Sequence, residues 1–596
     1  MKKPIAKPSL LAAVTQALVA ALLVLAIAAP LAAAAGAKAH KAPLNPAFLR
    51  SLVEPPISVL SSAAGGHGLG DIPTPQDFSY ARGMQVPGVR GTLPATYDLR
   101  TLGRVTSVKD QDSYGTCWAF ASLASLESCL LPGETQDFSE DNMVLNSGFG
   151  PFSDGLYDHG GGWSMATAYL VRWGGPVNES EDAYGDNYTP PGLTPRKHVQ
   201  EVSWIPSRGS ALDNDNLKNA VMQYGGVNVS MSWPGSTGSS DSSYNAATAS
   251  YYYEGSEWEG HAVLIVGWDD NYAAANFATT PPGPGAFIVK NSWGTSWGSS
   301  GYFYVSYYDS KFGRDGAVSS VLNNAESTSN YTGIYQYDPL GDVNDMWYGA
   351  PSPTGWFANV FTANATASLG AVGFYTVTPG TSYEVYSGAS LATKTLRASG
   401  TLAYMGYHTV TLPSAMALTG GQRFAVAVKV TSLGTTHPIA EEYPIVGYSD
   451  AATAQAGQSY VSMDGSSWKD LTTLSGFAED NVCLKAYTTG SSSPADTIGP
   501  VCAAKNVTVK RGKTCKISFQ VHDALSAQVT THVAITTNSG VVKKSWSWGY
   551  GESLPGWWEV KYTCRLARGT YRIVVTGEDL AGNSASVVGH ATLKVK

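Results

Sequence analysis

The pattern of the chain changes once, between residues 310 and 330, and this change limits the folds that it can adopt. Before it, the sequence mixes helical segments with strand-like runs, at Cys117–Leu130, Met165–Trp173, Ala262–Trp268 and Ala286–Lys290. After it, short segments of alternating polar and apolar residues are separated by Gly, Pro and Thr turns, as at Phe424–Val428. Mixed elements predict an α+β domain, whereas alternating segments with regular turns predict β-sandwiches. We therefore expect a multidomain chain in which an α+β domain precedes all-β domains.

The length of the chain fits several such domains. Its 596 residues correspond to about four segments of ordinary domain size. The sequence divides into a signal segment, a leader, an α+β domain, a β domain, a linker and a last β domain, at 1–35, 36–92, 93–310, 330–488, 489–496 and 497–596. The leader is rich in Pro, Gly and Ser and has no sustained helical period, so a pro-segment and a plain linker are both open interpretations.

The beginning of the chain has the pattern of an export signal. Lys2, Lys3 and Lys7 precede the apolar run Leu10–Ala29, and small residues follow Pro30. This pattern predicts a cleaved signal peptide and a secreted protein without a membrane span. An uncleaved anchor is the alternative, because about 20 apolar residues are enough to cross a bilayer.

Charge excludes one large class of partner. The 38 basic and 46 acidic residues give a net charge of −8, and no Lys/Arg-rich cluster stands out. Proteins that bind nucleic acids concentrate positive charge against the phosphates. We therefore expect no nucleic-acid partner.

Four residues in the α+β part form a pattern with a chemical meaning. Cys117 stands at the start of a predicted helix, where the helix dipole favours a thiolate. His261 begins an apolar strand, Asn291 opens the run Asn-Ser-Trp-Gly, and Gln111 lies six residues before Cys117. A thiol nucleophile, an imidazole that takes and returns its proton, a group that orients the imidazole and an amide that stabilises an oxyanion are the parts of an acyl-transfer site.

This pattern resembles the papain-like cysteine peptidases. The order is the same, with His261 144 residues after Cys117 and Asn291 30 residues further on. The resemblance implies a two-lobed α+β fold and a cysteine endopeptidase in which Cys117, His261, Asn291 and Gln111 are catalytic. It also implies that Trp293 screens the contact between His261 and Asn291, and we count Trp293 among the residues around the substrate.

Each of these residues has an ordinary structural role as its alternative. A lone Cys near a helix start is usually a small buried residue, and a lone His before a strand is usually a structural hydrogen-bonding group. The complete set in the right order is what favours catalysis. Two features depart from the family pattern. Tyr114 stands where the family usually has a Cys that forms a disulfide, and Asp269–Gly285 lengthens the loop before Asn291, most simply as an exposed insertion.

Glycines indicate where a substrate binds. Gly160 and Gly161 resemble the family's Gly-Gly segment, whose backbone binds an extended peptide as an added strand, and a Gly-rich turn is the alternative. The chain has no adjacent pair of histidines of the kind that forms an exopeptidase's carboxylate clamp. We therefore expect endopeptidase action on a protein or peptide substrate.

The two β domains carry weaker resemblances. Residues 330–488 are similar to the lectin-like domain of exported prokaryotic peptidases, and 497–596 to bacterial immunoglobulin-like surface domains. The resemblance implies that they target the enzyme to a glycan or cell-surface ligand. Aromatic residues of the first domain fit a sugar-binding surface or, by default, its core, at Trp347, Trp356 and Trp468. Those of the last domain are expected to pack across one hairpin, at Trp546, Trp548, Trp557 and Trp558.

Acidic residues and cysteines raise two further questions. Asp338, Asp342, Asn344 and Asp345 suggest either Ca²⁺ or turn caps, and we assign no metal and no cofactor. Cys117 and Cys129 are separated by about 18 Å of predicted helix, so they cannot pair with each other. Among the four later cysteines we favour a disulfide between Cys515 and Cys564.

Two other functions compete with the peptidase. The chain would be a non-enzymatic surface adhesin if the peptidase-like domain only presented the β domains. The complete set of four site residues argues against this hypothesis. Glycoside hydrolysis by a β domain would need two paired carboxylates, and no such pair can be located in the sequence.

Overall fold

All the described α-helices lie in the first half of the chain. The computed structural model describes residues 37–53, 66–88, 92–152, 155–234, 242–258, 260–314, 318–490, 499–523, 528–552, 556–579 and 582–596. The helices are Pro46–Ser51, Cys117–Leu130, Glu140–Leu145, Leu156–His159, Trp163–Val171 and Asp215–Gln223. The predicted signal segment and nearly all of the predicted linker lie outside the described residues. Among the described helices, none is both long and apolar enough to cross a membrane.

The α+β domain is built around one long buried helix and a sheet. Its strands are Thr96–Asp98, His198–Ile205, Val227–Ser232, Tyr244–Asn245, Ser250–Tyr251, Gly260–Asp269, Ala286–Lys290, Tyr302–Ser306 and Ser319–Glu326. The helix Cys117–Leu130 is apolar on nearly every side, and it packs on the strands Gly260–Asp269 and Ser319–Glu326. A helix that is apolar all round is a buried helix, and Pro132 ends it two residues after Leu130.

The sheet of this domain continues into the first β domain. Thirteen strands form one hydrogen-bonded sheet, in which His198–Ile205 pairs antiparallel with Met405–Leu418 of the next domain. Gly406 allows this pairing, because it has a φ of +124° and a Cβ there would lie 2.1 Å from the carbonyl oxygen of Val202. The two domains therefore share backbone hydrogen bonds as well as side-chain contacts.

The first β domain is a sandwich. Its strands are Gly333–Tyr335, Asn344–Tyr348, Thr354–Thr362, Ala367–Thr376, Thr381–Gly388, Thr395–Leu402, Met405–Leu418, Arg423–Thr431, Ile439–Glu442, Ser459–Ser462, Trp468–Asp470, Asn481–Val482 and Leu484–Thr489. A six-stranded sheet that includes Thr354–Thr362 faces strands of the long sheet across an apolar core. The alternation at Phe424–Val428 predicted such a strand, and the structure extends it to Arg423–Thr431.

The last β domain has two sheets, of three and five strands. Its strands are Val501–Ala504, Val507–Val509, Thr514–His522, Gln528–Thr536, Val542–Glu552, Trp558–Thr563, Gly569–Thr576 and Gly589–Val595. The prediction that its tryptophans pack across one hairpin is wrong, because Val542–Glu552 and Trp558–Thr563 belong to different sheets. The favoured disulfide is also absent from the described residues. All six cysteines are free thiols, and Cys515 and Cys564 lie as buried neighbours in the core of this domain.

The leader is folded onto both of the domains that follow it. Its strand, Ala39–Lys41, pairs with Asn344–Tyr348 of the first β domain. Its helix, Pro46–Ser51, inserts the fully buried Phe48 into the core that the two domains share. Residues 66–88 then run over the α+β domain, with a short 3₁₀ turn at Ser79–Ala81.

Candidate active site

Cys117 is the first residue of the helix Cys117–Leu130, as the sequence predicts. The residue is fully buried. The backbone N–H of Ala262 donates to Cys117 Sγ at 3.4 Å, which places the thiol beside the start of the strand Gly260–Asp269. The preceding residue, Thr116, is held by a hydrogen bond of 2.6 Å between its hydroxyl and that of Tyr184.

His261 lies in that same strand and is oriented by Asn291. Its Nε2 is 2.8 Å from Asn291 Oδ1, and the backbone N–H of Ser292 donates to the same oxygen at 2.9 Å. Because the amide oxygen only accepts, His261 Nε2 carries the hydrogen and Nδ1 is left with a free lone pair. His261 Nδ1 is buried and has no hydrogen-bond partner among the described residues. This tautomer therefore leaves Nδ1 able to accept a proton.

Trp293 covers the imidazole. Its ring is stacked on that of His261, with centroids 4.6 Å apart and an interplanar angle of 24°. Trp233 and Trp297 pack edge-on against Trp293, and Trp293 itself is fully buried. A buried indole at this position excludes water from the His261–Asn291 contact. Trp293 also touches the leader, since His67 stacks on it with centroids 5.3 Å apart.

Both the oxygen and the nitrogen of the Gln111 side-chain amide are hydrogen-bonded. Its Oε1 accepts a hydrogen bond of 2.6 Å from the Ser292 hydroxyl, and its Nε2 donates to Tyr114 O at 2.8 Å. The same Nε2 donates to the carbonyl oxygen of Gly68 in the leader at 2.9 Å. The amide that we expect to stabilise an oxyanion is therefore bound to a leader carbonyl.

The leader passes through the cleft next to Gly161. Gly161 N donates to Gly70 O at 2.9 Å, and Ile72 N donates to Gly161 O at 2.9 Å. Between them, Asp71 N donates to Gly260 O at 3.1 Å, one residue from His261. An extended segment bound by these backbone groups occupies the position at which an added peptide strand is expected.

Close backbone contacts explain why glycines lie where the leader passes through the cleft. A Cβ on Gly70 would lie 2.0 Å from Gly115 O, and one on Gly68 would lie 2.1 Å from Tyr114 O. Gly160 has a φ of +89°, and a Cβ there would lie 2.5 Å from Gly70 O. A Cβ on Gly161 would lie 2.5 Å from the ring of Trp118. Leader and cleft are therefore matched in backbone shape.

The leader-bound site holds a neutral thiol and a neutral imidazole. Burial raises the pKa of the Cys117 thiol to about 12, and the charge of Asp71 adds to the effect, while backbone N–H groups act in the opposite direction. Burial lowers the pKa of His261 to about 4, although the hydrogen bond with Asn291 opposes the change. Burial also raises the pKa of Asp71 to about 7. The thiolate expected from the helix dipole is therefore not favoured while the leader is bound.

Several residues around the site were missed by sequence reasoning. His67 and Asp71 belong to a leader whose composition gave no sign of its path, although the close glycines Gly68 and Gly70 were a usable signal. Tyr114, which replaces the family's Cys, packs edge-on against Tyr157 with centroids 4.9 Å apart. Aromatic packing therefore holds the loop where the family uses a disulfide. The lengthened loop Asp269–Gly285 packs its Phe277 into a small buried cluster.

The acidic group of the first β domain is buried. Asp338 forms an ion pair of 2.8 Å with Lys485, and neither side chain is exposed. Asp342, Asn344 and Asp345 are also buried. Among the described residues, no group of three or more His, Cys, Asp or Glu side chains is arranged to hold a metal ion.

Comparison with known proteins identifies both domains. The chain matches the family described as "Papain family cysteine protease" over residues 93–322 and the family described as "Lectin like domain" over 334–488. It is similar to the solved cysteine protease and lectin-like domains of Cwp84, a surface layer associated protein of Clostridium difficile. That similarity has a TM-score of 0.63 and 26% identity, and it covers 76% of this chain and 98% of that one. A structure of Cwp84 after propeptide cleavage gives a TM-score of 0.57 and 28% identity, and it covers 66% of this chain and 99% of that one.

Curated relatives match the first of these domains. Cysteine proteinase 15A of Pisum sativum is 31% identical over 238 residues, which are 38% of this chain and 62% of the pea protein. Cathepsin K of Gallus gallus is 34% identical over 268 residues, which are 40% of this chain and 70% of the chicken protein. The chain thus spans about three fifths of the pea proteinase and more than two thirds of the chicken cathepsin. It belongs to the papain family of cysteine proteases and carries a lectin-like domain after the protease domain.

Proposed function

We propose that this chain is an exported cysteine endopeptidase, made as an inactive precursor whose leader is removed before it acts. The arrangement of Cys117, His261 and Asn291, with Gln111 beside it, carries this proposal. The protease names of the relatives support the reaction class. The predicted signal segment, together with the surface-layer association of the similar Cwp84, supports action outside the cell.

Acylation follows from the order of these groups. His261 Nδ1 takes the proton of Cys117, and the Sγ electron pair forms a bond to the carbonyl carbon of the peptide. Gln111 Nε2 and the backbone N–H of Cys117 donate to the oxyanion, in a role whose loss costs about 10²-fold to 10³-fold in rate in other enzymes. The C–N bond then breaks as His261 returns the proton to the leaving amine, and a thioester remains on Cys117. Asn291 keeps the ring in the tautomer that both transfers need.

Deacylation uses the same groups with water. His261 Nδ1 takes a proton from water, whose oxygen attacks the thioester carbonyl, and the C–S bond breaks to regenerate Cys117. The substrate would lie as an added strand on the backbone of Gly161, where the leader lies in the precursor.

The leader is proposed to be inhibitory because it uses the groups that catalysis needs. It binds Gln111 Nε2 through Gly68 O and the backbone of Gly161 through Gly70 and Ile72. It also buries Cys117 and His261 in their neutral forms. A bound leader therefore excludes substrate and disfavours the thiolate. The two β domains would target the released enzyme to a surface, glycan or substrate.

Thiol labelling separates the enzyme from the adhesin alternative. Leader-free protein is treated with a peptidyl thiol-alkylating inhibitor, and labelled cysteines are located by peptide mass spectrometry. We expect Cys117 to react at least about 100-fold faster than Cys129, whose thiol pKa is raised by burial. Cys117→Ala should abolish peptide hydrolysis and leave the fold unchanged. Equal labelling of the two thiols, or hydrolysis that persists in Cys117→Ala, would show that Cys117 is not the nucleophile.

A further inference from the structure

The leader strand Ala39–Lys41 occupies a sheet edge in the lectin-like domain. It is itself the edge strand of a four-stranded sheet, and it pairs antiparallel with Asn344–Tyr348, which would be the edge without it. The pairing continues past the strand, where Ala42 N donates to Asp345 O at 2.7 Å and Asn344 Nδ2 donates to Ala42 O at 3.0 Å. The leader is therefore bound as an added β-strand, which is a common way to bind an extended peptide.

The side chain of Lys41 fills a pocket that matches an ammonium group. Lys41 Nζ is 2.6 Å from Asp480 Oδ2, and the Asp480 side chain is only 3% exposed. The same Nζ lies 3.3 Å from the ring centroid of Tyr443 and 5.0 Å from that of Phe477. A buried carboxylate with two aromatic faces is a favourable site for a compact cation.

A second buried acid lies beside Asp480. Glu441 is fully buried in the neighbouring strand Ile439–Glu442. Burial raises the pKa of Glu441 well above its usual range and the charge of Asp480 adds to this, whereas Lys41 acts in the opposite direction. Lys41 therefore favours the ionised forms of both Glu441 and Asp480, so the pocket is suited to a positively charged occupant.

The residue before the lysine also has a defined contact. His40 is stacked on Trp347, with centroids 4.5 Å apart and an interplanar angle of 13°. His437 packs edge-on against the same indole, with centroids 4.4 Å apart. Because side chains alternate along a strand, His40 and Lys41 extend from opposite faces of the bound segment, and the lectin-like domain contacts both. We call this edge, with Trp347, Tyr443, Phe477 and Asp480, the lysine groove.

We propose that the lysine groove, once the leader has left, binds an extended segment of another polypeptide that presents a lysine. This inference rests on the proposed removal of the leader. The leader strand shows the chemistry that the groove accepts, namely an extended backbone, a lysine and the small residues Ala39 and Ala42 on either side of the His-Lys pair. When the strand leaves, the backbone groups of Asn344–Tyr348 and the carboxylate of Asp480 lose their partners at the same time. A lysine-bearing segment restores both sets of contacts.

The test measures peptide binding to full-length chains that lack the nucleophile. The probe is a labelled peptide of residues 38–44, and the readout is fluorescence anisotropy. In Cys117→Ala the tethered leader competes with the probe. In Cys117→Ala with Lys41→Ala the leader strand loses its lysine contact, and we expect the probe to bind at least about tenfold more tightly than to Cys117→Ala. The nucleophile is absent from both chains, so the result does not depend on peptidase activity.

Matched variants and peptides identify the contacts. Adding Asp480→Asn should weaken binding at least about tenfold, whereas Glu479→Gln removes the same charge from an exposed neighbour and should leave it unchanged. Tyr443→Ala gives a second test of the pocket if Asp480→Asn does not fold, which thermal unfolding would reveal. A probe with norleucine at the position of Lys41 should bind at least about tenfold more weakly. Equal binding of the norleucine probe would overturn the proposal.

A peptide of unrelated sequence tests whether the groove binds segments other than the leader. It keeps a Lys-Ala pair preceded by a residue with an aromatic ring but shares no other residue with the leader. Binding within about tenfold of the leader peptide supports a general lysine groove. Binding of the leader peptide alone would restrict the groove to the leader and contradict the proposal, as would the absence of any binding at about 1 mM peptide.

Discussion

Cys117 experiences two opposing influences, and the leader decides which one prevails. The helix Cys117–Leu130 points its positive end at the thiol, which favours a thiolate. Burial under the leader favours the neutral thiol, and Asp71 adds to this effect when its carboxyl is ionised. A desolvated anion costs several kcal/mol, whereas a helix terminus contributes about 0.3–2 kcal/mol. The neutral form therefore prevails while the leader is bound, and solvent access after leader release would favour the ion pair with His261.

The carboxyl of Asp71 makes leader binding depend on pH. Burial raises its pKa from 3.8 to about 7, so the bound leader holds a proton that the free leader releases. Binding is therefore helped fully below pH 4, and this contribution is lost as the pH rises through 7. His261 has the opposite effect on the pH dependence of leader binding, because burial lowers its pKa to about 4. His67 and Asp110, 3.6 Å apart, are further titratable groups beside this part of the leader.

A comparison of two peptides isolates the contribution of Asp71. Leader-free enzyme is inhibited with a synthetic peptide of residues 66–88 and with its Asp71→Asn counterpart, between pH 4.5 and 8.5. The titrations of the enzyme cancel in the ratio of the two inhibition constants. We expect the constant of the Asp71 peptide to rise relative to that of the Asn peptide by up to about tenfold per pH unit until pH 7, and then to level off. A ratio that stays constant with pH would show that Asp71 is not buried in the complex.

At the scale of elements, the sequence predicts what is local and misses what is brought together from afar. The helix Cys117–Leu130 has the predicted bounds, because its apolar run and the following Pro132 are both visible in the sequence. The strand Ala286–Lys290 also has its predicted bounds, since it is a continuous apolar run. The path of the leader was not predictable, because its backbone and side-chain contacts are made with residues far away in the chain. The separation of the tryptophan-bearing strands into two sheets likewise depends on packing of the whole domain.

The candidate site and its surroundings divide in the same way. Cys117, His261, Asn291 and Gln111 were predicted as site residues because their order and spacing resemble the family pattern. The ion-pair network below them was not found, because Lys109 and Glu140 are 31 residues apart, with the helix Cys117–Leu130 between them, and each looks like an ordinary surface charge in the sequence. In the structure Lys109 Nζ is within 3.0 Å of both Glu140 oxygens and 2.9 Å from Phe138 O.

Lys109 should matter for the stability of the protease domain. Its ammonium group is the partner of Glu140, whose side chain is 2% exposed, and lies 4.0 Å from the equally buried Glu127. Lys109→Ala removes the ammonium group that contacts Glu140, although the charge of the buried Lys290 still acts on both acids. We therefore expect a loss of up to about 3–5 kcal/mol in the free energy of unfolding, measured by urea denaturation. In the control, Lys109→Met with Glu140→Gln removes both charges, and it should recover a large part of the loss. If Lys109→Ala changes stability by less than about 1 kcal/mol, the pair is a solvated surface pair.

At the scale of the whole molecule, the leader, which we propose to be inhibitory, also joins two domains. It contributes a strand to the lectin-like domain, a core side chain between the domains and a backbone segment to the catalytic cleft. The domains are also joined directly, through the pairing of His198–Ile205 with Met405–Leu418. Loss of the leader therefore removes only part of the interface, while it uncovers the cleft and the lysine groove together. Catalysis and peptide binding by the lectin-like domain would become available in one step.

Phe48 packs the leader against the protease domain and the lectin-like domain at once. It is fully buried and lies edge-on to Tyr448 of the lectin-like domain at 4.9 Å, and Phe149 of the protease domain contacts the same tyrosine. Burying a phenylalanine in such a core contributes about 3–5 kcal/mol relative to alanine. In full-length Cys117→Ala, the added change Phe48→Ala should therefore accelerate tryptic cleavage after Arg50 at least about tenfold, as followed by mass spectrometry of the fragment that begins at Ser51. Leu49→Ala truncates a neighbour that is 46% exposed and should leave this rate unchanged. Equal rates in both variants would mean that the leader helix is held by its strand and its cleft segment alone.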